Sequence, residues 1–305
     1  MSWQNFQSVQ VNPATASPAR QRFSLTSDIV GFRHCSRQYG YFGNDGFVPA
    51  HSVQIFYGTI IHQVLDRLHR HYAGLFGHPP ETMPTETDIQ NYFNEIESAL
   101  RAHGVRAINQ VVRDRALFVL RKFNEIEGPQ LYPRVVDTEY RLESERQNFV
   151  MRGVVDVLAD NPDAEVGECE IWDYKGTNRP GGSDPAMENY EHQMCVYAEL
   201  YRVKNGVYPA RAILYFLNEL YTPAGDPELT SRPIRSVLTV EFTPERIQAA
   251  LQAFDQTAQD IMQCKSQQVW PNPQTLPDDA TCDVCDIRWN CSAHPPGKYP
   301  IRHPA

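Results

Sequence analysis

The chain has 305 residues, of which 41% are hydrophobic and 21% are charged, and its formal net charge is −9. This composition can bury a large core, and it excludes a disordered, collagen-like or coiled-coil chain. The acidic balance argues against a protein that coats nucleic acid with a broad basic face, but it allows an enzyme that handles nucleic acid in a groove.

No run of apolar residues approaches the roughly 20 that a membrane-spanning helix requires. The first residues, MSWQNFQSVQVNPATASPARQRF, lack the basic region followed by an apolar region that marks a secretory signal. We therefore expect a soluble, cytoplasmic protein that has no membrane partner.

The first part of the chain is predicted to be mostly helical. Residues 1–22 are polar and show no hydrophobic period, which indicates a flexible arm. A helix with Ser27 as its N-cap is expected next, and the apolar spacing at 57–75 predicts a longer, amphipathic helix. A proline-rich loop separates that helix from two further predicted helices at about 87–102 and 109–127.

The pattern changes after Pro133, where short segments rich in β-branched and aromatic residues begin. These segments predict strands at 134–143, 147–158, 168–175, 209–218 and 234–242. Apolar periodicity predicts helices at 185–203 and 244–264. The sequence therefore predicts an α/β (α+β) fold, in which helices flank a mixed central sheet and a helical cap precedes it.

A group of three cysteines near the C-terminus indicates a metal centre. Cys282, Cys285 and Cys291 form a C-x2-C-x5-C motif in a segment with little apolar content, so burial in a core does not explain them. Two fourth ligands are possible: His294 would complete a zinc site of three thiolates and one imidazole, and Cys35 would complete a site of four thiolates suited to an iron–sulfur cluster. The other cysteines are predicted to be small buried residues: Cys169, Cys195 and Cys264.

A second set of residues lies on two predicted strands. Gly153 and Asp156 belong to one strand, and the next carries Asp173-Tyr174-Lys175. Because side chains alternate along a strand, Asp173 and Lys175 share one face, and Asp156 can converge with them. Two carboxylates can hold one or two hard divalent cations, and a lysine beside them can orient or help deprotonate a water. This is the outline of a phosphodiester-hydrolysis site, although an ion pair on a surface strand would show the same short motif.

Three further side chains are candidates for the same site. His62 lies near the border of the apolar stripe of helix 57–75, and imidazole can bind manganese or another borderline cation. Gln193 and Tyr197 are four residues apart on the predicted helix 185–203 and so project from one face. The ordinary alternatives are a half-buried histidine, an exposed glutamine and a core tyrosine.

The order of these motifs resembles the PD-(D/E)XK nucleases of the RecB type, in particular the iron–sulfur exonucleases of the CRISPR-associated and AddB-like branches. In that family a Cys-x-Arg motif and a Gly-x-x-x-His helix precede Gly-x-x-Asp, Asp-x-Lys and Gln-x-x-x-Tyr, and a C-x-x-C-x5-C motif follows. The matching residues are Cys35 and Arg37, Gly58 and His62, Gly153 and Asp156, Asp173 and Lys175, Gln193 and Tyr197, and Cys282, Cys285 and Cys291. The resemblance spans residues 27–291.

The resemblance implies roles for the residues of the site. A Mn²⁺ or Mg²⁺ ion would be held by His62, Asp156, Asp173 and the backbone carbonyl of Tyr174. Lys175 would position or activate the attacking water.

The resemblance also implies two supporting groups. Gln193 and Tyr197 would support the catalytic site and the DNA strand. A 4Fe–4S cluster would be ligated by Cys35, Cys282, Cys285 and Cys291, so the family favours Cys35 over His294 as the fourth ligand. The cluster would then be structural and would join the two ends of the chain.

Taken with this family, the chain divides into four predicted parts. Residues 1–22 form the flexible arm, and 23–130 form a helical part that carries Cys35 and His62. Residues 131–265 form the nuclease core, and 266–305 form the C-terminal cysteine cluster and tail.

The expected function is a metal-dependent DNA exonuclease that acts on single strands or DNA ends. Its expected role is CRISPR adaptation, where it would process spacer precursors, or another form of defence, in a complex with a protein partner. The alternatives are a recombination or repair nuclease that works with a helicase, a non-catalytic module that binds DNA ends, and a zinc protein without nuclease activity.

A local basic strip suggests where DNA could lie. Residues 101–122 hold six basic residues and a single acid, Asp114. The hypothesis is that this helix faces the DNA backbone, with Arg113 and Arg115 as candidate DNA-binding residues, because local charge can differ from the acidic whole. An ordinary solvated helix face is the alternative.

Overall fold

The structure is a computed structural model that describes residues 20–44, 53–163, 168–182, 184–223, 229–273, 277, 282, 285 and 287–293. At its centre is a mixed sheet of six strands with helices on both faces. This is the α/β architecture that the sequence predicts. Among the described residues, no helix is both long enough and apolar enough to cross a membrane.

Strand β3 organises the sheet. The strands are β1 (Gln21–Ser24), β2 (Val135–Glu145), β3 (Phe149–Asp160), β4 (Cys169–Lys175), β5 (Arg211–Phe216) and β6 (Val237–Val240). β3 pairs in parallel with β1 and antiparallel with β2 and β4. β4 pairs in parallel with β5, which pairs antiparallel with β6. The central pair β3–β4 carries the predicted acids.

The helices are α1 (Gly31–His34), α2 (Ser36–Tyr39), α3 (Val53–Tyr72), α4 (Glu86–Ala102), α5 (Gln110–Ile126), α6 (Gly128–Leu131), α7 (Pro185–Asn205) and α8 (Pro244–Gln267). A side-chain oxygen caps the first turn of four long ones, and the capping residues are Thr85 for α4, Asn109 for α5, Asp184 for α7 and Thr243 for α8. The long helices and the later strands confirm the predicted elements to within a few residues.

The sheet separates two hydrophobic cores. On β4, Ile171 lies in the core formed with α7 and α8, whereas Trp172 and Tyr174 lie in the core formed with α3, α4 and α5. This alternation follows from the two-residue period of a strand. Each large apolar side chain that is fully buried in these cores contributes about 1.5–3 kcal/mol.

The start of the chain differs from the prediction. β1 begins at Gln21, so residues 21 and 22 belong to the sheet and not to a flexible arm. The reason is Phe23, which is fully buried and packs edge-to-face on Phe149 of β3, with ring centroids 5.5 Å apart. Residues 1–19 of the predicted arm lie outside the described residues.

The prediction that Ser27 caps the first helix is wrong. The helical segment Leu25–Val30 begins after Ser24, whose hydroxyl accepts from the backbone N–H of Ser27. The backbone N–H of Ser24 in turn donates to Asp28 over 2.6 Å. Ser24, Thr26 and Ser27 are all residue types that cap helices, and the hydrogen bonds made at Ser24 mark the earliest of them as the cap.

Candidate active site

The side chains that were predicted to carry chemistry line a single cavity where β3, β4, α3 and α7 meet. They are His62, Asp156, Asp173, Tyr174, Lys175, Gln193 and Tyr197. The elements that carry them are far apart in sequence, so the tertiary fold brings them together.

Asp156 lies at an irregular point of the sheet. Val155 belongs to the core beneath α7, whereas Val157 belongs to the opposite core. Residues two apart share one face of a regular strand, so β3 changes faces at Asp156. The residue opposite on β2 is Glu139, and the ladder of paired residues skips this step. Such irregularities redirect side chains and are common next to active sites.

Glu139 also lines the cavity, although it is not among the residues that the sequence predicts for the site. Its φ of 52° is in the left-handed region, which costs a residue with a side chain about 1–2 kcal/mol. Desolvation raises the pKa of Glu139, and the charges of Asp156 and Asp66 raise it further. No sequence signal marks this residue, because it is one of several acids on its strand and its backbone angle cannot be read from the sequence.

Lys175 and Gln193 hold Asp173 between them. Lys175 Nζ lies 2.6 Å from Asp173 Oδ2 and donates to Gln193 Oε1 over 2.8 Å. Gln193 Nε2 donates to Asp173 Oδ1 over 2.9 Å and lies 3.0 Å from Tyr197 Oη. The face of α7 that carries Gln193 and Tyr197, as the sequence predicts, therefore orients the acid and the amine of the Asp-x-Lys motif.

Tyr197 reaches this network because residue 153 is glycine. A Cβ atom at Gly153 would lie 2.5 Å from Tyr197 Cε1. The glycine of the Gly-x-x-Asp motif thus lets α7 pack closely on β3, next to Asp156.

His62 and Asp156 form an ion pair on the other side of the cavity. His62 Nδ1 lies 3.3 Å from Asp156 Oδ1, and Asp156 Oδ2 accepts the backbone N–H of Tyr174 over 2.7 Å. Burial lowers the pKa of His62, but the charge and hydrogen bond of Asp156 outweigh it and raise the pKa to about 9. Burial favours a higher pKa for Asp156, but His62 and the Tyr174 amide hold that pKa below its ordinary value.

Asp173 is a buried acid with an incompletely satisfied oxygen. Burial raises the pKa of Asp173 and the nearby charge of Asp156 raises it further, although Lys175 opposes both effects. Asp173 Oδ2 is buried and makes no well-aligned hydrogen bond with any described residue, even though Lys175 Nζ is close. Two neighbouring carboxylates, one of them with an incompletely satisfied oxygen, and an imidazole are ligand types that Mg²⁺ or Mn²⁺ accepts. No choice of one ligand atom from each of His62, Asp156 and Asp173 places all three within 4.8 Å of one another, so the side chains would have to close around a single bound ion.

The four motif cysteines line a second cavity. Cys35, Cys282, Cys285 and Cys291 share its wall with Arg37, Gln38 and Arg288. Among the described residues, no three thiol sulfurs lie within 4.8 Å of one another. Sulfur ligands of a single tetrahedral zinc ion would lie about 3.8 Å apart, so the thiols are spaced more widely than one zinc ion requires. His294, the alternative ligand, lies outside the described residues.

Cys35 separates α1 from α2. The backbone of Cys35 is extended, with φ −158° and ψ 102°, and its sulfur accepts a hydrogen bond from the N–H of Gln38 over 3.4 Å as the N-cap of α2. The predicted single helix is therefore broken at Cys35, because this residue turns its sulfur towards the cysteine cavity.

Contacts other than the cysteines also join the two ends of the described chain. The ring of Trp270 lies 5.8 Å from that of Tyr39, and a side chain at Gly40 would collide with it. Ser36 donates to the carbonyl of Pro271 over 2.9 Å. The helical segment around Cys35 is thus packed on the segment that leads into the C-x2-C motif.

All seven cysteines are described, and none forms a disulfide. The three that lie outside the motif were predicted to be buried. Cys195 and Cys264 are buried, and Cys169 is half-buried.

The two arginines proposed to face DNA have partners inside the protein. Arg113 Nε lies 3.0 Å from the carboxylate of Glu97, and its guanidinium stacks over Phe93. The guanidinium of Arg115 lies 4.4 Å from the centre of the Tyr221 ring. These contacts give both side chains a structural use, and their contact with DNA stays a prediction.

Comparison with solved structures supports the fold. A protein named "putative exonuclease" from Eubacterium rectale matches over 100% of this chain and 96% of its own, at 13% identity and a TM-score of 0.52. At this identity the likeness concerns the fold alone. SSO0001 matches over 87% of this chain and 96% of its own at 12% identity, and its TM-score of 0.32 is too low to carry an argument.

Comparison with protein families goes further. No curated protein sequence matches this chain significantly. The family model for the PD-(D/E)XK nuclease superfamily matches residues 23–292, which include every element of the cavity described above. The chain therefore belongs to the PD-(D/E)XK nuclease superfamily, a family of metal-dependent nucleases.

Proposed function

We propose that this chain hydrolyses phosphodiester bonds of DNA as an exonuclease that acts on single strands or DNA ends. The observation that carries the proposal is the convergence of Asp156, Asp173 and Lys175 in one cavity, with His62 beside them. The preference for ends and single strands rests on the order of the motifs, which resembles that of iron–sulfur exonucleases. The fold shared with the Eubacterium rectale protein is compatible with it.

The proposed metal ligands are His62, Asp156, Asp173 and the backbone carbonyl of Tyr174. A Mn²⁺ or Mg²⁺ ion held there would supply a water of lowered pKa and stabilise the negative charge that develops on the phosphoryl group. His62 would serve as a ligand in its neutral form, and Asp156, which pairs with His62 in this structure, would be a carboxylate ligand.

Lys175 is proposed to position the attacking water. Its ammonium group has three N–H bonds, and its neighbours Asp173 and Gln193 engage at most two of them. The third remains for the water or for a phosphate oxygen. Gln193 is hydrogen-bonded to Asp173 and contacts Tyr197, so these two residues would hold the Asp173 carboxylate and the Lys175 amine in fixed positions while substrate binds.

We also propose that Cys35, Cys282, Cys285 and Cys291 ligate a 4Fe–4S cluster. Their shared cavity supports this, and so does a sulfur spacing wider than a single zinc ion requires, because the ligands of a cluster bind different iron atoms. The cluster would strengthen the contact between the N-terminal helical segment and the C-terminal segment. It would supply no catalytic group.

The proposed biological role is CRISPR adaptation or another form of defence, in a complex with a protein partner and in the cytoplasm. A recombination or repair nuclease that works with a helicase is the second candidate. Both roles rest on the resemblance of the motifs, and both require the same chemistry at Asp173 and Lys175.

The proposal is tested with anaerobically purified protein and end-labelled linear DNA, in single-stranded and double-stranded form, with Mn²⁺, Mg²⁺ or EDTA. Closed circular DNA of the same sequence separates an exonuclease from an endonuclease. We expect wild type to degrade linear DNA only when a divalent metal is present and to leave circles intact. Asp173→Ala and Lys175→Ala should abolish degradation, whereas Lys204→Ala, on the exposed end of α7, should not.

Two results would contradict the proposal. Cleavage of circles would show an endonuclease. If wild type binds DNA ends with the cluster intact but never cuts them in either metal, the chain is a DNA-end-binding module.

A further inference from the structure

A second group of ligand-type side chains lies at the far end of α3. One ring nitrogen each of His71 and His78 and one carboxylate oxygen of Asp88 lie within 4.8 Å of one another. His71 is in the last turn of α3, His78 is in the connection that follows, and Asp88 is in the first turn of α4. Nine residues of helix, or about 13–14 Å along its axis, separate His71 from His62. The group is therefore distinct from the active site.

His71 presents a buried nitrogen that has no hydrogen-bond partner among the described residues. The residue is fully buried, and its Nδ1 lies 2.9 Å from the hydroxyl of Tyr92. Its Nε2 is also buried and makes no hydrogen bond with any described residue. Buried polar atoms without a partner are uncommon in native proteins. With the ring proton on Nδ1, donated to Tyr92, Nε2 offers a lone pair, which is how an outer contact orients an imidazole that binds a metal.

Asp88 is fixed by the cap of α4. Its Oδ2 accepts the backbone N–H of Thr85 over 2.8 Å and the hydroxyl of Thr85 over 2.6 Å. These hydrogen bonds hold the carboxylate in place and leave Oδ1 without a hydrogen bond from any described residue. One oxygen of the Asp88 carboxylate is thus engaged by the helix cap, and the other oxygen is available to a cation.

His78 completes the group from the connection between the helices. Its ring stacks on that of His71, with centroids 3.7 Å apart and planes inclined by 23°. A bound metal lies close to the plane of its imidazole, so His78 has to turn its ring to bind the same ion as His71. His78 is only half-buried and lies outside any helix or strand, and this permits the turn.

We propose that His71, His78 and Asp88 bind a divalent ion of the zinc class. Two imidazoles and one carboxylate are ligands that Zn²⁺ accepts, and a water would fill the fourth position. The ion would satisfy the buried Nε2 of His71. It would also join the end of α3 to the start of α4, so its role is to stabilise the helical part of the chain.

The test measures how much Zn²⁺ the full-length chain, with its cysteine centre loaded, holds after dialysis at a fixed free Zn²⁺ concentration. We expect wild type to hold one equivalent more than His78→Ala. The control His103→Ala, which changes an exposed histidine at the end of α4, should hold as much as wild type. Asp173→Asn, an active-site change, should leave the equivalent that depends on His78 in place.

A second variant and a second measurement distinguish loss of the ion site from misfolding of the His78→Ala variant. Asp88→Asn keeps an acceptor for Thr85 but removes the charge, and it should lose the same equivalent. Added Zn²⁺ should raise the thermal midpoint of wild type and His103→Ala by more than that of His78→Ala. If His78→Ala and Asp88→Asn both hold as much Zn²⁺ as wild type, the two histidines are only a packed pair and the proposal is wrong.

Discussion

The two acids of the candidate active site are held by different neighbours. Asp156 is held by the imidazole of His62 and the backbone N–H of Tyr174, whereas Asp173 is held by side chains of β4 and α7. All these groups lie on helices and strands and none on a loop. Sites built on regular elements are positioned more rigidly than sites on loops, so the cavity is organised before substrate binds.

Gln193 is the residue that links the two halves of the Asp173 network. Replacing it with alanine removes one hydrogen bond from Asp173 and one from Lys175. We expect Gln193→Ala to lower the initial rate of linear-DNA cleavage about 10–100-fold, as is typical when an outer contact of a metal site is lost. Gln263→Ala, an exposed change on α8, is the control, and an unchanged rate in Gln193→Ala would show that Gln193 has no positioning role.

At the scale of elements, the contact between α7 and β3 determines where Gln193 and Tyr197 lie. Gly153 permits the contact, because any side chain at this position would meet the Tyr197 ring. The irregularity of β3 at Asp156 comes only three residues later. A short stretch of one strand therefore sets both the helix that supports the site and the direction of one of its acids.

A matched pair of glycine variants tests this dependence. Gly153→Ala should push α7 away from β3 and lower the free energy of unfolding by about 1–3 kcal/mol, as overpacking does. Gly58→Ala, at a helical glycine with no atom near the added methyl group, should raise it by about 0.5–1 kcal/mol. Urea unfolding of both variants is the measurement. Equal effects of the two changes would contradict the close packing of Tyr197 on β3.

Glu127, at the junction of α5 and α6, makes the stability of the fold depend on pH. It is buried and accepts a hydrogen bond from Tyr215, and Arg232 lies nearby. Burial raises the pKa of Glu127, although Arg232 and Tyr215 oppose the effect. Below the unfolded-state pKa, about 4.3, both states are protonated. As pH rises from there to the folded-state pKa, the unfolded chain ionises first, so the folded protein loses stability. Above the folded-state pKa the folded protein also carries the buried charge and the loss is complete.

We expect Glu127→Gln to remove this loss. The amide keeps an acceptor for Tyr215 but cannot ionise, so the variant should gain stability relative to wild type as pH rises from acid to neutral. Urea unfolding of both proteins across that range is the measurement. If the free energies of unfolding of wild type and Glu127→Gln differ by the same amount at every pH, burial of the Glu127 charge is not the cause of the loss.

At the scale of the whole molecule, the two ends of the described chain are packed together. The ring of Trp270 packs against that of Tyr39, and Ser36 donates a hydrogen bond to the carbonyl of Pro271. Cysteines from both ends line one cavity beside these contacts. A cluster there would close a long loop of chain, which restricts the unfolded state and favours the folded one.

Removing one proposed ligand tests this arrangement. If the four cysteines ligate the proposed 4Fe–4S cluster, Cys291→Ser should lose the visible absorption of that cluster and lower the thermal midpoint. DNA cleavage should persist below the new midpoint, because the proposed cluster would supply no catalytic group. Cys169→Ser, at a half-buried cysteine outside the cavity, is the control. Loss of cleavage in a Cys291→Ser protein that is still folded would contradict a purely structural cluster.

Much of the fold and the site could be predicted because both depend on short-range patterns in the sequence. The long helices follow their apolar period, and Asp173 and Lys175 share a face because strands alternate. β1 was missed because four residues with one buried Phe23 show no period. The left-handed backbone of Glu139 and the pairing of Arg113 with Glu97 of another helix were missed because each depends on contacts between distant parts of the chain.

The proposed chemistry depends on a divalent metal bound between His62, Asp156 and Asp173. The most direct measurement is a crystal structure of the Mn²⁺-soaked protein, with the ion located by anomalous scattering, together with the same experiment on Asp173→Asn. We predict one strong peak in contact with both carboxylates and the His62 imidazole in wild type, and its loss in the variant. A wild-type protein that cuts DNA in Mn²⁺ but shows no peak in this cavity would contradict the account.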